Sequence, residues 1–381
     1  MSVHTVPDMI AEVPIIDTGT QMGVYVHIPF CQKHCPYCDF AVVEGMLHIA
    51  PAYVDALCAE IRQAAERHAP NPPVATIFLG GGTPSLLPAK QIGRILTTIH
   101  EVFDVQPGAE VTLEANPGPL RPRHLAGFRA AGVTRLSLGV QTFNARGLAA
   151  LGRLHTPEDG REAIANARAA GFDSVSADLI FGWEDQTEEE WRDDLRAAIA
   201  LHPDHVSAYA LTVEEGTPLA RAVAVGAARV ADDDLYADMF LAADALLAEA
   251  GYHHYETSNY ARPGHRSRHN CGYWVNGDYL GFGVGAHSHQ ANRRWWNVRD
   301  LHAYLSGVSA GTVEADAETL SEATARAETM FLGTRLAEGI AEGAFARRHN
   351  CTSDAVYGRQ IAEYVARGFV TRTDGRIALT A

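Results

Sequence analysis

The stretch GVYVHI (Gly23–Ile28) runs directly into PFCQKHCPYC (Pro29–Cys38). The first part is a short run of β-branched and aromatic residues, the composition of a buried strand. The second part carries Cys31, Cys35 and Cys38 in the spacing C-x3-C-x2-C. A strand that empties into a cysteine loop sets metal-binding chemistry at its C-terminal end. The sheet to which that strand belongs decides the architecture.

Five further strand-like runs succeed it along the chain: VATIFLG (Val74–Gly80), EVTLEAN (Glu110–Asn116), TRLSLGVQ (Thr134–Gln141), DSVSADLIFG (Asp173–Gly182) and HVSAYALT (His205–Thr212). Helical patterns separate them, over Pro51–His68, Pro88–Phe103, Arg121–Ala131, Pro157–Ala170 and Glu188–Leu201. Strands alternating with helices imply a parallel sheet. Six such units suit a doubly wound sheet or a barrel, complete or partial. In either architecture functional groups gather at the C-terminal strand ends. Those ends carry the cysteine loop, Gly80–Ser85, Glu114 and Asn116, Gln141 and Asp178.

Beyond Thr212 the pattern changes. Asp232–Ala250 reads as a helix, and Gly251–Trp296 is rich in His, Gly and aromatic residues. The last stretch reads as helices and then the hairpin VTRTDGRIAL, with an Asp-Gly turn. The expected division is an N-terminal extension (1–22), a core barrel (23–250), an accessory region (251–318) and a C-terminal helical domain with a wing (319–381).

The whole composition supports a folded, intracellular chain. It has 381 residues, 47% apolar and 20% charged, with a net charge of −15. No basic stripe is visible, so nucleic acid and anionic membrane are poor partners. The first residues have no basic n-region, and no 18-residue apolar run exists, which leads to an expected cytoplasmic location with no transmembrane segment. Three of the six cysteines crowd together and Cys58, Cys271 and Cys351 are scattered, which is not a disulfide framework.

Three thiolates without a fourth cysteine nearby can hold a [4Fe–4S] cluster by three irons, leaving the fourth iron open to a small ligand. The rival is zinc, with His27 or His34 as fourth ligand. Structural zinc usually uses two separated C-x2-C units, and the chain has no second one. Spacing alone favours the cluster. Farther along, His265, His269, His287 and His289 lie close to Tyr273, Trp274, Trp295 and Trp296. A flat apolar macrocycle with a central iron suits such a set. From the residues alone, loop hydrogen bonds and core packing account for it better.

YVHIPFCQKHCPYCDF (Tyr25–Phe40) resembles the cluster loop of radical S-adenosylmethionine (SAM) enzymes, and more narrowly that of the coproporphyrinogen III dehydrogenase group. The likeness continues through GGGTPSLL (Gly80–Leu87), TLEANPG (Thr112–Gly118), LSLGVQTF (Leu136–Phe143), LGRLH (Leu151–His155) and DLIFGWEDQT (Asp178–Thr187). It extends to YETSNYA (Tyr255–Ala261), HNCGYW (His269–Trp274) and GDYLGFGVGAH (Gly277–His287). The dehydrogenase loop has a further cysteine two residues after the third ligand. Here Cys38 is followed by Asp39 and Phe40. HNCGYW also matches the sister, heme-chaperone branch of the group.

The resemblance implies a partial (β/α)6 radical SAM barrel of the α/β class, with a C-terminal accessory region and a small winged-helix-like domain. It implies a [4Fe–4S] cluster on Cys31, Cys35 and Cys38. It implies SAM contacts from Tyr25, Tyr37, Gly81, Gly82, Thr83, Glu114, Gln141, Arg153 and Asp178, with Thr212 and His287 from looser local matches. It implies heme as cargo, with His269 as first choice of ligand, Cys271 as its competitor, and Tyr273 and Trp274 as packing. The expected partners are heme, an unidentified heme-acceptor protein and an electron donor. The alternative activity is oxygen-independent coproporphyrinogen III dehydrogenation, or another radical SAM reaction on a tetrapyrrole.

Overall fold

The computed structural model describes residues 20–67, 71–118 and 120–380. Most of the expected N-terminal extension lies outside the described residues, as does His68 at the end of the first expected helix. Met22, the last residue of that extension, opens the first strand.

Twelve strands form one large sheet, numbered here in chain order. They are β1 (Met22–Ile28), β2 (Val74–Gly81), β3 (Val105–Ala115), β4 (Arg135–Gln141), β5 (Ser174–Phe181) and β6 (His205–Ala210), then β7 (His253–Glu256), β8 (Asn259–Ala261), β9 (Asp278–Phe282), β10 (His287–Gln290), β11 (Arg293–Asn297) and β12 (Glu314–Thr319). Their order across the sheet is β12-β11-β10-β9-β1-β2-β3-β4-β5-β6-β8-β7. The six expected strands are the parallel block β1–β6. The sheet does not close, so the barrel is partial, with β12 and β7 as its edges. The His- and aromatic-rich stretch supplies both flanks: β7 and β8 beside β6, and β9–β12 beside β1.

Helices α1 (Ala50–Arg67), α2 (Ala89–Val102), α3 (Pro122–Ala130), α4 (Ala145–Ala150), α5 (Pro157–Ala169) and α6 (Glu188–Ala200) fall between the parallel strands. Two of them begin at capping boxes, Thr156 with Asp159 and Thr187 with Glu190, which satisfy the first free N–H groups. Alternation along each strand sorts the side chains. Val24, Val26, Ile28, Ile77, Leu79, Leu113, Leu136, Leu138, Val175 and Leu179 join the main core with the helices. The opposite set faces the barrel interior. In that set Tyr25 pairs with Phe78, Phe78 with Thr112, Glu114 with Ser137, Ser137 with Ser176, and Asp178 with Ser207. A parallel sheet covered on one face by helices must fill its other face, and here that face is polar.

After α7 (Pro218–Ala224) and α8 (Asp233–Glu249) the chain adds β7 and β8, then α9 (Arg268–Trp274). Both carboxylate oxygens of Glu110 accept N–H groups at the start of α9, from Arg268 and His269, each at 3.1 Å. Tyr255 accepts the Ser267 N–H and bonds His205. Arg135 donates to the His265 carbonyl. These contacts fix α9 as a plug near the N-terminal ends of β1 and β2. After α10 (Leu301–Ala310) and β12, the last part packs α11 (Glu322–Gly333), α12 (Glu342–His349) and α13 (Ser353–Ala366) with a small sheet. That sheet contains the expected hairpin, with Asp374 and Gly375 both at positive φ, as a tight two-residue turn requires. Among the described residues no helix is long and apolar enough to cross a membrane.

Candidate functional site

The cysteine loop sits at the C-terminal end of β1. Phe30–Cys31 pairs with Val43–Glu44, which ties the start of the loop to the segment just after it. The Cys31 thiol lies 3.8 Å from the Thr83 hydroxyl, and Cys35 Sγ accepts from Arg153 Nη1 at 3.5 Å. Burial pushes the Cys31 thiol up, and pushes that of Cys38 up to about 11. All six cysteines are free. The two histidines nominated for zinc are occupied. His27 bonds Tyr25 Oη through Nδ1 and the Ala41 carbonyl through Nε2, and His34 bonds the Cys38 carbonyl through Nε2. Among the described residues no three His, Cys, Asp or Glu side chains converge on a point where one metal ion could be held.

Beside the thiols the backbone comes very close. A Cβ on Gly82 would lie 2.8 Å from the carbonyl oxygens of Pro29 and Phe30, and one on Gly81 would lie 2.5 Å from His27 Cε1. Gly81 also has a φ of +108°, and its N–H donates to Glu114 Oε2 at 3.1 Å. The glycine run therefore packs backbone-close against the end of β1 and the cysteine loop, where no side chain fits. Arg153 reaches Cys35 from the loop after α4. Its Nη2 donates to the Gly139 carbonyl at 2.9 Å and to Asn116 Oδ1, while Asn116 Nδ2 donates to Thr83 at 2.8 Å. Its Nε is buried without a partner. A surface pairing of Arg153 with Glu158 is not formed; Glu158 faces Arg161 instead.

Deeper in the barrel, Asp178 accepts from Ser137, Ser176 and Ser207 at 2.7, 2.7 and 2.8 Å. Burial still raises its carboxyl, and the three hydroxyls offset this. Glu114 is pushed up to about 7, first by burial and then by the charge of Asp178, eased by the Gly81 N–H. Tyr25 stacks on Phe78, and burial together with the Glu114 charge lifts its phenol above the ordinary range. Tyr37 lies against Cys35, Cys38 and Arg153 and lines an apolar recess with Trp183 and Leu151. Gln141 ends β4 at a φ of +67°, a strained position for a residue with a side chain. Thr212 and His287 are both exposed; Thr212 bonds the Ala210 carbonyl and His287 stacks on Trp296.

The other nominated set is at the opposite end. His269 is 2% exposed, with Nδ1 on Thr76 Oγ1 at 2.8 Å and Nε2 on Tyr273 Oη at 2.9 Å. Burial lowers its pKa to about 3. Both ring nitrogens are hydrogen-bonded to hydroxyls, so in this arrangement His269 anchors the plug. Cys271 is buried among Tyr255, Ala261 and Leu336, with its thiol raised by burial, and presents no sulfur to a ligand. Trp274 is covered by Arg335, 4.2 Å from the ring centroid, whereas Tyr273 keeps one face open.

Sequence reasoning left several site residues out. Asn116, which bridges Arg153 and Thr83, was visible only as a strand end. Ser137, Ser176 and Ser207 share the inward parity of their strands, a signal that period-two counting carries. His27, weighed in the sequence only as a zinc ligand, positions Tyr25 instead.

Three free thiols, a bare glycine run and a half-buried guanidinium thus meet at the C-terminal rim of a partial parallel barrel, and the class of protein is radical SAM. Residues 25–198 match the Radical SAM superfamily, and residues 320–381 match the HemN C-terminal domain. The chain is 38% identical over 370 residues to the heme chaperone HemW of Mycobacterium tuberculosis, covering 95% of this chain and 94% of that one. It is 40% identical over 269 residues to the heme chaperone HemW of Escherichia coli, covering 70% and 69%. The chain belongs to the HemW family. Its fold is also that of the solved coproporphyrinogen III oxidase HemN from Escherichia coli, with a TM-score of 0.81 at 24% identity over 96% of this chain and 88% of that one.

Proposed function

We propose that this protein is a heme chaperone that binds heme and delivers it to an acceptor protein, with a [4Fe–4S] cluster on Cys31, Cys35 and Cys38 and SAM beside it. The observation that carries the cofactor part is Arg153. A guanidinium lodged against Cys35, with no acidic side chain bonded to it and Nε left unpaired, suits an anionic partner, and its planar fork suits a carboxylate. Gly81 and Gly82 give backbone access for the methionine part, and Glu114 offers an acceptor for its amino group. Tyr25 and Tyr37 cover the pocket and keep water out, Thr83 supports the loop, and Gln141 and Asp178 face the ribose side. Thr212 and His287 are the outermost contacts in this reading. The cluster, reduced by an electron donor, supplies the electron that cleaves SAM when that chemistry is used.

The cargo part rests on family membership, since the relatives bear the name heme chaperone. The residues after Cys38 add to it, because Asp39 and Phe40 stand where the dehydrogenase has its extra cysteine. The test is a heme titration on anaerobically reconstituted protein, then transfer to an apo-acceptor and product analysis with coproporphyrinogen III. One saturable heme per chain, measurable transfer and no protoporphyrinogen are expected. Turnover of coproporphyrinogen without heme binding would replace the chaperone by the dehydrogenase.

A further inference from the structure

Strand β4 ends in a turn of three residues, Val140–Thr142. The Thr142 N–H donates to the Val140 carbonyl at 2.9 Å, and Gln141 between them has a φ of +67°. A bond from residue i+2 back to residue i around a positive φ is the rare, strained form of the γ-turn. Glycine would enter it freely, yet the position carries a side chain. A Cβ on Gly139 would lie 2.9 Å from Gln141 Nε2, 2.8 Å from Asn116 Oδ1 and 3.3 Å from Arg153 Nη2. The Gln141 amide therefore folds back over bare Gly139 and joins the polar group around Arg153 at the cysteine rim. The strain in the backbone is what directs that amide inward.

Such strain persists only where the surroundings over-determine it, and here two side chains grip the turn. On one side His155 is 7% exposed, and its Nε2 lies 3.0 Å from the same Val140 carbonyl. A carbonyl only accepts, so Nε2 carries the hydrogen. Burial, and then the charge of Arg153, lower the His155 pKa to about 4, so the ring stays neutral at physiological pH. On the other side Asp194 of α6, 2% exposed, accepts the Phe143 N–H at 2.7 Å and the Thr142 hydroxyl at 2.6 Å. The turn cannot relax toward extended backbone without stranding these buried groups. On the SAM-site reading above, we propose that His155 is a positioning residue for SAM: it clamps the Val140–Thr142 turn, with Asp194 closing it from the far side, and so holds the Gln141 amide toward the bound cofactor. His155 acts through the backbone of the turn and not by contact with the ligand.

The experiment is a SAM titration by equilibrium dialysis on the oxidised, cluster-loaded protein. Parent, His155→Leu, His155→Gln, Gln141→Gly and the double variant His155→Leu with Gln141→Gly are compared, each with its cluster content and denaturant midpoint measured to show that it is folded. His155→Leu is expected to bind SAM about tenfold more weakly. His155→Gln, whose amide nitrogen can stand where Nε2 stood, is expected to come back to within about threefold of the parent. Gln141→Gly is expected to bind SAM more weakly and to fold as well as the parent, because glycine accepts the turn. Adding His155→Leu to Gln141→Gly is expected to cost no further affinity, because the side chain to be positioned is gone; a generally loosened fold would cost affinity in both backgrounds. Parent-like affinity in His155→Leu, a His155→Gln protein no tighter than His155→Leu, or the full loss repeated in the Gln141→Gly background would each overturn the assignment and leave the SAM site standing. Absence of saturable SAM binding in the parent would overturn the SAM-site reading and the assignment with it.

Discussion

At the cysteine rim Arg153 keeps a buried Nε without a partner, three thiols are free, and Gly81–Gly82 bring bare backbone against the end of β1, where a Cβ would clash. At the opposite end His269 uses both ring nitrogens, Glu110 uses both carboxylate oxygens, and Tyr255 takes two further bonds. Both ends are rich in polar groups under a sheet, and each keeps some without a partner, Arg268 Nε and Trp274 Nε1 of α9 among them; the rim differs in gathering three free thiols around such a group. An unsatisfied buried polar group costs about 1–3 kcal/mol, and one that sits against free thiols has a ligand as its natural compensation. The opposite end is a plug in which His269, Glu110 and Tyr255 spend their polarity on holding α9 inside the barrel. Polar residues in a barrel are thus no guide to a binding site until their partners are counted.

The strongest way to break this comparison is at the thiols. Cys31→Ala, Cys35→Ala and Cys38→Ala should each lose the cluster on anaerobic reconstitution, read as iron and sulfide content. Cys58→Ala and Cys271→Ala should retain it, because both side chains are buried away from the rim. Stoichiometric zinc in the parent, with no iron–sulfur spectrum after reconstitution, would remove the distinction between the two ends.

At the plug the expected effect is on stability. His269→Ala removes a buried ring and strands the hydroxyls of Thr76 and Tyr273, a loss of about 3 kcal/mol. Denaturant unfolding should show it, and SAM affinity, measured on the cluster-loaded variant, should stay near the parent value. Unchanged stability would mean that the plug is not what its hydrogen bonds say it is.

Arg153 sharpens the comparison from the other side. Arg153→Ala should weaken SAM binding by about 2 kcal/mol, roughly thirtyfold, because a charge-assisted bond to a carboxylate is lost. Arg153→Lys should recover part of that loss, as it keeps the charge but not the fork. The cluster should form in both variants, and parent-like SAM affinity in Arg153→Ala would displace the carboxylate site.

Much of the fold could be read from the chain because its signals are local. The six parallel strands are compact β-rich runs, each ending in polar or Gly-rich residues, and the closing hairpin shows its Asp-Gly turn. The flanking strands β7–β12 were not legible. They are short, lie among histidines, glycines and aromatics, and gain their status by pairing with β1 and β6 far away in sequence. The cluster cysteines could be read from spacing, whereas Arg153 was legible only through resemblance, since nothing near it shows that it reaches Cys35. His269 escaped sequence reasoning for the same reason. Its partner Thr76 is 193 positions away, so a histidine beside two aromatics looks available when it is already bonded.

The smallest effect tests whether the rim is held in an unsatisfied state even without ligand. Glu114 is raised to about 7 by burial and by Asp178, whereas in an unfolded chain it titrates near the ordinary value of 4.5. The folded protein therefore holds a proton that the unfolded chain has released over this interval. The stability linked to that proton is fully present below the unfolded value and is lost as pH rises through the folded one. Glu114→Gln is neutral throughout and lacks this dependence. Between about pH 5 and about pH 8 the SAM-free parent should lose more stability than Glu114→Gln, read as the difference in their denaturant midpoints. Parallel pH profiles for the two proteins would show that Glu114 is already satisfied by the Gly81 N–H, and the rim would then resemble the plug at that position.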